Sequence, residues 1–276
     1  MGAYLRPRGL EEALQALTRP FTVLAGGTDF YPARVGRSVT EDVLDIAGIV
    51  ALRGISETAT GWRLGTTTTW SELVEAPLPP LFDGLKQAAR EVGGRQIQNS
   101  GTIGGNICNA SPAADGVPPL LTLAAEVELA SRTGTRRLPL AAFITGVRKT
   151  ERQPGELVVA LHVPRPRHEA RSAFLKLGAR RYLVISIAMA STLVEVEDGK
   201  VIAARVAVGA CSPVAQRLPA LEQALIGAPF DARLGERVEP DHLATLSPID
   251  DIRGSAVYRS DVALVLLRRL LSKVAA

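Results

Sequence analysis

The spacing of apolar and polar residues over the first half of the chain alternates between helical and strand patterns. Residues 9–18 place Leu10, Leu14 and Leu17 on one face, with acidic residues in the first turn, which predicts a short amphipathic helix. Other apolar or β-branched runs, bounded by Gly or Pro, predict further strands and helices. We predict strands at 21–24, 43–46, 62–68, 126–130 and 157–163, a helix capped by Ser71, a proline-bounded helix over 77–93, and a helix or turn at 120–124.

The second half of the chain begins with a different pattern. Pro164 and Pro166 interrupt regular structure and indicate a joint between domains. Long alternating segments follow, and Asp198-Gly199 predicts a hairpin turn between two of them. The spacing then becomes helical, and Ser260-Asp261 is the predicted start of a strong last helix. The predicted domains are 1–165 and 170–276.

Composition narrows the classes of protein that this chain can represent. With 276 residues, 46% of them apolar and 22% charged, the chain has the usage of a folded protein large enough for two domains. The net charge of +4 comes from 32 basic and 28 acidic residues. The basic residues are scattered, and an aromatic content of 4% is too low for base-stacking platforms. A nucleic-acid partner is therefore not expected.

The cysteine content and the hydropathy of the chain indicate the cellular compartment in which the protein works. Two cysteines and three histidines, all far apart, supply neither a disulfide framework nor a local metal or iron–sulfur site. The longest apolar run, Val262–Leu267, is far shorter than the ~20 residues that a membrane-spanning helix needs. The N-terminal segment has no apolar signal core. These features predict a reduced, cytoplasmic protein without metal ligands or a membrane span.

Two glycine-rich segments are the strongest candidates for a binding site. Ala25-Gly26-Gly27-Thr28-Asp29 follows a predicted strand, and Thr102-Ile103-Gly104-Gly105-Asn106 lies in a long polar segment. Glycine pairs let backbone N–H groups approach an anion closely, and the Thr and Asn side chains add donors. Asp115 follows at a distance that suits a sugar hydroxyl. The two segments fit a diphosphate held from both sides, although each glycine pair alone is also typical of a tight turn.

The same residues carry a resemblance to a known family. LAGGTD at 24–29, followed by GTIGGNICNASPAAD at 101–115, resembles the FAD-binding medium subunits of the molybdenum hydroxylases. That family includes xanthine dehydrogenase, carbon monoxide dehydrogenase and bacterial N-heterocycle dehydrogenases. The resemblance covers nearly the whole chain. It implies an α+β fold: an FAD-binding domain of two α/β subdomains, at about 1–57 and 58–165, and a C-terminal domain with a small antiparallel sheet and helices.

The resemblance also implies which residues hold the cofactor. Val23–Phe30 matches the family's first diphosphate loop, Thr102–Asn106 matches the second, and Asp115 matches a position near the ribose or ribityl group. No residue is implied as catalytic. The residues implied in FAD binding are Val23, Leu24, Ala25, Gly26, Gly27, Thr28, Asp29, Phe30, Val92, Thr102, Ile103, Gly104, Gly105, Asn106, Asp115, Val158 and Lys176.

Several of these positions have alternative interpretations. Val92 stands where some members place an aromatic residue against the flavin ring, and Val158 matches a backbone contact. Lys176 matches a basic residue near the flavin, but an exposed strand lysine is the alternative. Tyr182 either covers the ring or is a half-buried strand residue. Cys108 is interpreted as a small buried residue rather than a redox thiol.

The implied activity is electron transfer within a complex. The resemblance implies a small partner subunit with two 2Fe-2S clusters and a large partner with the molybdenum cofactor, so that only FAD is expected on this chain. Electrons then pass from the clusters to NAD, oxygen or a quinone. Two other functions stay open at this stage: a stand-alone FAD oxidoreductase, and a flavin-free structural subunit.

Overall fold

The computed structural model describes residues 2–276 and begins with a small parallel sheet covered by one helix. The elements of this first unit are β1 (Tyr4–Leu5), α1 (Leu10–Ala16), β2 (Thr22–Leu24) and β3 (Val43–Asp45), with 3₁₀ turns at Pro32–Arg34 and Val50–Leu52. The strands lie in the order β1-β3-β2. Leu14 and Leu17 are buried in one cluster with Leu44, which confirms the helix predicted at this position.

An antiparallel sheet of five strands forms the second unit and carries most of the helices. Its elements are β4 (Ile55–Thr58), β5 (Gly61–Gly65), α2 (Trp70–Glu75), α3 (Asp83–Glu91), α4 (Arg95–Ser100), α5 (Ile103–Asn109), α6 (Val117–Thr122), β6 (Glu126–Ser131), β7 (Gly134–Pro139), α7 (Leu140–Phe143), β8 (Ile144–Gly146), β9 (Lys149–Thr150) and β10 (Leu157–Pro164), with a 3₁₀ turn at Pro80–Phe82. The strand order is β4-β5-β10-β6-β7, and β8 pairs with β9 outside this sheet. The core is built around Trp70, Phe82 and Phe143, which are fully buried.

The third unit is a four-stranded antiparallel sheet with two helices. Its elements are β11 (Glu169–Leu177), β12 (Ala188–Glu197), β13 (Lys200–Gly209), β14 (Gln216–Arg217), α8 (Pro219–Leu225) and α9 (Ala256–Val274), with 3₁₀ turns at Leu234–Arg237 and Pro240–Leu243. The strands lie in the order β11-β12-β13-β14. Asp198 and Gly199 both have positive φ, at 49° and 70°, as a tight two-residue hairpin requires. The predicted hairpin is confirmed.

Together these units confirm the predicted α+β class, including the antiparallel C-terminal sheet. Residues 165–168 alone connect β10 to β11, and we keep the division into 1–165 and 170–276 as a proposal that this change of sheet supports. The predicted subdomain limit near residue 57 falls inside β4, so we propose a limit just before Ile55. Among the helices of residues 2–276, none combines the length and apolar character that a membrane span requires.

Two helices begin before the serines that the sequence pattern indicated. Thr69, not Ser71, caps α2: its hydroxyl accepts the N–H of Glu72, and the Glu72 carboxylate accepts the N–H of Thr69 at 2.8 Å. This reciprocal pair satisfies two N–H groups at once, so it outcompetes a lone serine. Likewise Ser255 caps α9 by accepting the N–H of Tyr258, and Ser260 lies inside the helix.

The capping box at Thr69 leads to a measurable difference between two neighbouring hydroxyl residues. We expect Thr69→Ala to lower the free energy of unfolding by about 1 kcal/mol, since the N-cap hydroxyl that accepts the N–H of Glu72 is lost. Ser71→Ala, the matched control, removes only an exposed bond to Asn99 and should change it by less than about 0.5 kcal/mol. Denaturant titration measures both. Equal losses would show that Thr69 does not cap the helix.

Candidate functional site

The first glycine-rich loop leaves the end of β2 with its backbone donors unengaged. Gly27 adopts a left-handed conformation with φ at +72°, which turns the chain sharply. Within residues 2–276, the backbone N–H groups of Gly26, Gly27, Thr28 and Asp29 donate no hydrogen bond. Such a run of N–H groups in a turn forms a concave site that suits an anion.

The two glycine-rich segments lie backbone to backbone, although they are far apart in sequence. A Cβ built on Gly26 would overlap the carbonyl oxygen of Ser100, and a Cβ built on Gly101 would lie 3.4 Å from the Thr28 hydroxyl. Only glycine permits this approach at Gly26. The fold therefore brings the first and second predicted loops together.

The second segment uses its two glycines for different purposes. The N–H groups of Ile103 and Gly104 donate to the carbonyls of Thr68 and Thr66, at 3.0 and 2.9 Å, so they are already satisfied. A Cβ on Gly104 would overlap the Thr66 side chain. Gly104 is therefore a packing residue, and the expectation that both glycines present N–H groups to a phosphate is wrong for this position.

Gly105 and Thr102 form the open side of the same turn. The Thr102 hydroxyl caps α5 by accepting the N–H of Gly105 at 3.1 Å, which leaves the hydroxyl hydrogen available to another acceptor. A Cβ on Gly105 would meet only that hydroxyl, at 2.9 Å. This side of the turn is thus the part of the second segment that a diphosphate can reach.

Asn106 supplies a direct test of whether these residues fit a bound cofactor. Its side-chain oxygen is buried and has no hydrogen-bond partner within residues 2–276. Buried polar atoms in native proteins are almost always paired, so an unpaired acceptor beside a binding loop indicates a ligand donor. The ribityl and ribose hydroxyls of FAD are donors of that kind, and the residues present fit the cofactor.

Asp115 and Lys176 form a buried ion pair beside α6. The Lys176 ammonium lies 2.7 Å from one carboxylate oxygen of Asp115, and the Ser186 hydroxyl donates to the other at 2.6 Å. The Lys176 side chain is only 6% exposed, so it is not the surface lysine of the alternative interpretation. Burial raises the pKa of Asp115, and Lys176 and Ser186 oppose that rise.

The remaining predicted residues take supporting positions. Val92 follows the end of α3 and packs, half-buried, against the core of the second unit. Val158 is buried in β10, so only its backbone can face a ligand, and the carbonyl of its neighbour Val159 accepts the N–H of Thr66. Leu24 is buried at the end of β2, and Val23 and Ala25 pack, half-buried, against the cluster that contains Leu14 and Leu44. The ring of Phe30 packs under the Arg34 guanidinium at 3.8 Å.

The positions of Cys108 and Tyr182 each exclude one interpretation. Cys108 is exposed on α5, so its interpretation as a buried residue is wrong: the buried side of that short helix is occupied by Ile103, Gly104 and Ile107. Tyr182 lies in the 178–187 loop between β11 and β12 and is 62% exposed, so it is not a half-buried strand residue.

Sequence reasoning missed two residues that support the site. Thr66 anchors Gly104, and Ser186 fixes Asp115. The run of four threonines at 66–69 is a signal that could have indicated the first, because threonine hydroxyls at a strand end commonly bond to backbone groups. Ser186 is joined to Asp115 only by the fold.

Known proteins are similar to this chain over nearly its whole length. A family model described as the FAD binding domain in molybdopterin dehydrogenase matches residues 1–166, and one described as the CO dehydrogenase flavoprotein C-terminal domain matches residues 173–274. The xanthine dehydrogenase FAD-binding subunit of Escherichia coli O157:H7 is 29% identical over 99% of this chain and 96% of its own length. The nicotinate dehydrogenase FAD-subunit of Eubacterium barkeri is 30% identical over 97% of this chain and 94% of its own.

Solved structures share the fold as a whole. A chain of the reconstituted CO dehydrogenase from Oligotropha carboxidovorans superposes with a TM-score of 0.91 at 27% identity, covering 100% of this chain and 98% of that one. A chain of quinoline 2-oxidoreductase from Pseudomonas putida 86 gives a TM-score of 0.88 at 26% identity, covering 100% and 97%.

Proposed function

The chain belongs to the FAD-binding subunits of the molybdenum hydroxylase family, of the xanthine dehydrogenase and carbon monoxide dehydrogenase type, and on that premise we propose that it relays electrons from a partner's 2Fe-2S clusters to an external acceptor. It is an oxidoreductase subunit that binds FAD. The observation that supports the proposal is the close approach of the Gly26 backbone to Ser100 and Gly101, next to which the N–H groups of 26–29 are unengaged. FAD, when bound there, supplies the electron-transfer chemistry.

The state of Asp115 favours a relay over a stand-alone oxidoreductase. A base that removes a proton from an organic substrate must lie within hydrogen-bond reach of that proton. Asp115 is buried, and its oxygens already accept hydrogen bonds, one from Lys176 and one from Ser186, so a substrate has little access to it. The ion pair can therefore orient and stabilise a cofactor, but it is not poised to activate a substrate.

The proposed relay requires two partners. We propose a small iron–sulfur subunit as the electron donor and a large molybdenum subunit as the site of substrate oxidation, together a cytoplasmic heterotrimer. Support comes from relatives that are named as medium chains, such as the carbon monoxide dehydrogenase medium chain of Hydrogenophaga pseudoflava. The acceptor is NAD, oxygen or a quinone.

Anaerobic reduction of the flavin tests this proposal. We expect the purified chain to be yellow and to release its flavin on acid precipitation, since no covalent link is proposed. A heterocycle such as hypoxanthine or nicotinate should not bleach the flavin absorbance of the isolated chain. Bleaching should follow when the iron–sulfur and molybdenum subunits are added.

Each other outcome contradicts the proposal in a distinct way. Direct bleaching of the isolated chain by a heterocycle would establish a stand-alone oxidoreductase. A colourless chain that takes up no FAD from solution would establish a structural subunit. Flavin that remains with the acid pellet would contradict non-covalent binding.

A further inference from the structure

A buried arginine of the last helix joins three segments that are far apart or separately folded. Arg259 lies in the first turn of α9 and is only 3% exposed. Its Nη1 donates to the carbonyls of Ile187 and Ala210, at 2.5 and 3.0 Å, and its Nη2 donates to the Asp251 carboxylate at 2.7 Å. A buried cation is stable only when it is paired and hydrogen-bonded. These bonds therefore fix the relative positions of the three segments.

The Asp251 carboxylate anchors the guanidinium at the start of α9. The N–H of Arg253 and the guanidinium of Arg259 lower the pKa of Asp251 to about 2, so this carboxylate is ionised at neutral pH. Asp251 belongs to a tight turn just before the helix, in which its N–H donates to the carbonyl of Gly254 and accepts the return bond on its own carbonyl. The two other bonds of Arg259 reach different elements.

The first of the two carbonyls belongs to the residue that follows Ser186. Ser186 is 2% exposed and donates its hydroxyl to Asp115 at 2.6 Å. Ile187 is also buried, and its N–H donates to the carbonyl of Leu177 at the end of β11. Arg259 thus fixes the backbone from which the Ser186 hydroxyl reaches Asp115.

The second carbonyl belongs to a residue in a left-handed backbone conformation. Ala210 follows β13 with φ at +61°, a conformation that residues other than glycine rarely adopt. Its N–H donates to the carbonyl of Pro112 at 3.0 Å, three residues before Asp115. Such a conformation persists only where its surroundings hold it, and the bond from Arg259 to the Ala210 carbonyl does so.

We propose that Arg259 is a positioning residue for the FAD site, which it supports from the C-terminal unit without contacting the cofactor. It holds the 112–115 segment in place along two routes, one through Ser186 and one through Ala210. The proposal rests on the proposed function, because Asp115 is the member of this segment that is expected beside the sugar part of FAD. A polar group binds a ligand well only when its position is held within about 0.5 Å.

Titration of the flavin-free, full-length chain with FAD tests this role. Arg259→Met keeps the length of the aliphatic stem but removes the guanidinium, and we expect the Kd for FAD to rise about tenfold. Arg205→Met is the matched control. Arg205 also lies in the third unit and bonds to the buried Glu195 at 2.9 Å, but it lies toward the hairpin at 198–199. Its loss should destabilise the unit and change the Kd by less than about twofold.

A double-mutant cycle tests the route through Ser186. Ser186→Ala and Arg259→Met together should raise the Kd by less than the product of their separate effects, because both act on the same carboxylate. Effects that multiply fully overturn the proposal. So does an unchanged Kd in Arg259→Met, or an equal rise in Arg205→Met, since Arg259 would then stabilise the fold alone. If Arg259→Met does not fold, Arg259→Lys takes its place, because it keeps the charge beside Asp251 on a shorter side chain.

Hydrogen exchange of the flavin-free chain separates this proposal from the proposed function. The Ala114 N–H, which donates to the Ser111 carbonyl, should exchange faster in Arg259→Met than in Arg205→Met. If the wild-type chain takes up no FAD, the proposed relay fails, while this difference still reports whether Arg259 holds the segment. If FAD binds equally well to the wild type and to Arg259→Met, the relay stands and the positioning role is absent.

Discussion

Gly105→Val yields a folded protein that has lost most of its FAD, whereas Gly104→Val yields a protein that is strongly destabilised. A side chain on Gly105 meets only the Thr102 hydroxyl and otherwise projects to the open side of the turn, where the diphosphate is proposed to lie. Displacing that N-cap hydroxyl costs about 1 kcal/mol, which a protein of this size tolerates. We expect the Kd for FAD to rise at least tenfold.

The adjacent glycine gives the opposite result for a structural reason. A side chain on Gly104 overlaps Thr66 in the core of the second unit, where neither residue can move away. Overpacking typically costs about 1–3 kcal/mol, and the overlap with Thr66 puts Gly104→Val at the upper end of that range. Gly9→Val is the control, because Gly9 has an extended backbone and open space around its Cα.

Flavin absorbance per chain and thermal unfolding, measured together, distinguish a binding role for Gly105 from a packing role for Gly104. Full flavin occupancy in Gly105→Val would place the cofactor elsewhere. Wild-type stability in Gly104→Val would show that Thr66 does not pack against it.

Lys176→Met is expected to lower the free energy of unfolding by about 3–5 kcal/mol at neutral pH. The substitution keeps the volume of the side chain but leaves the Asp115 carboxylate buried without its cation. The double variant Lys176→Met/Asp115→Asn should recover a large part of the loss, since no buried charge remains.

The loss of stability in Lys176→Met should depend on pH in a defined direction. Burial already raises the pKa of Asp115, and removal of Lys176 takes away a group that opposes the rise. In the variant, Asp115 therefore stays protonated in the folded state at pH values where it has lost its proton in the unfolded state. The free energy of unfolding of the variant falls as pH rises from the unfolded-state pKa of Asp115 to its raised folded-state pKa, and it is regained as pH decreases. Denaturant titrations from acid to neutral pH measure this slope. A loss in Lys176→Met that is independent of pH would indicate altered packing rather than an unpaired charge.

The local spacing of apolar residues predicted those helices and strands that keep one regular repeat along their length. Helix α1 and the hairpin at Asp198-Gly199 follow from apolar spacing and turn chemistry that act over a few residues. Helices α4 and α5 were not expected, because each is no longer than seven residues and packs through glycines such as Gly101 and Gly104. Glycine gives no apolar signal, so no periodicity marks these helices.

The candidate site likewise contains residues that local sequence predicted and partners that it did not. The two glycine segments and Asp115 were predicted from their residue types, and the fold brings the segments into contact. The partners of Asp115 are 61 and 71 residues away, at Lys176 and Ser186. Pairing over such distances depends on how β11 and the loop after it lie against α6, which a single sequence does not encode locally.

The backbone contact between Gly26 and Ser100 also makes the amount of folded protein depend on the supply of its cofactor. Because the proposed FAD site takes residues from two units that only the folded chain brings together, we expect FAD to bind the native state and not the unfolded one. By mass action, free FAD at 100 times its Kd adds about 2.7 kcal/mol to stability. A cell short of flavin would therefore hold more of this chain unfolded and open to proteolysis, and the abundance of the subunit would follow flavin synthesis without any change in transcription.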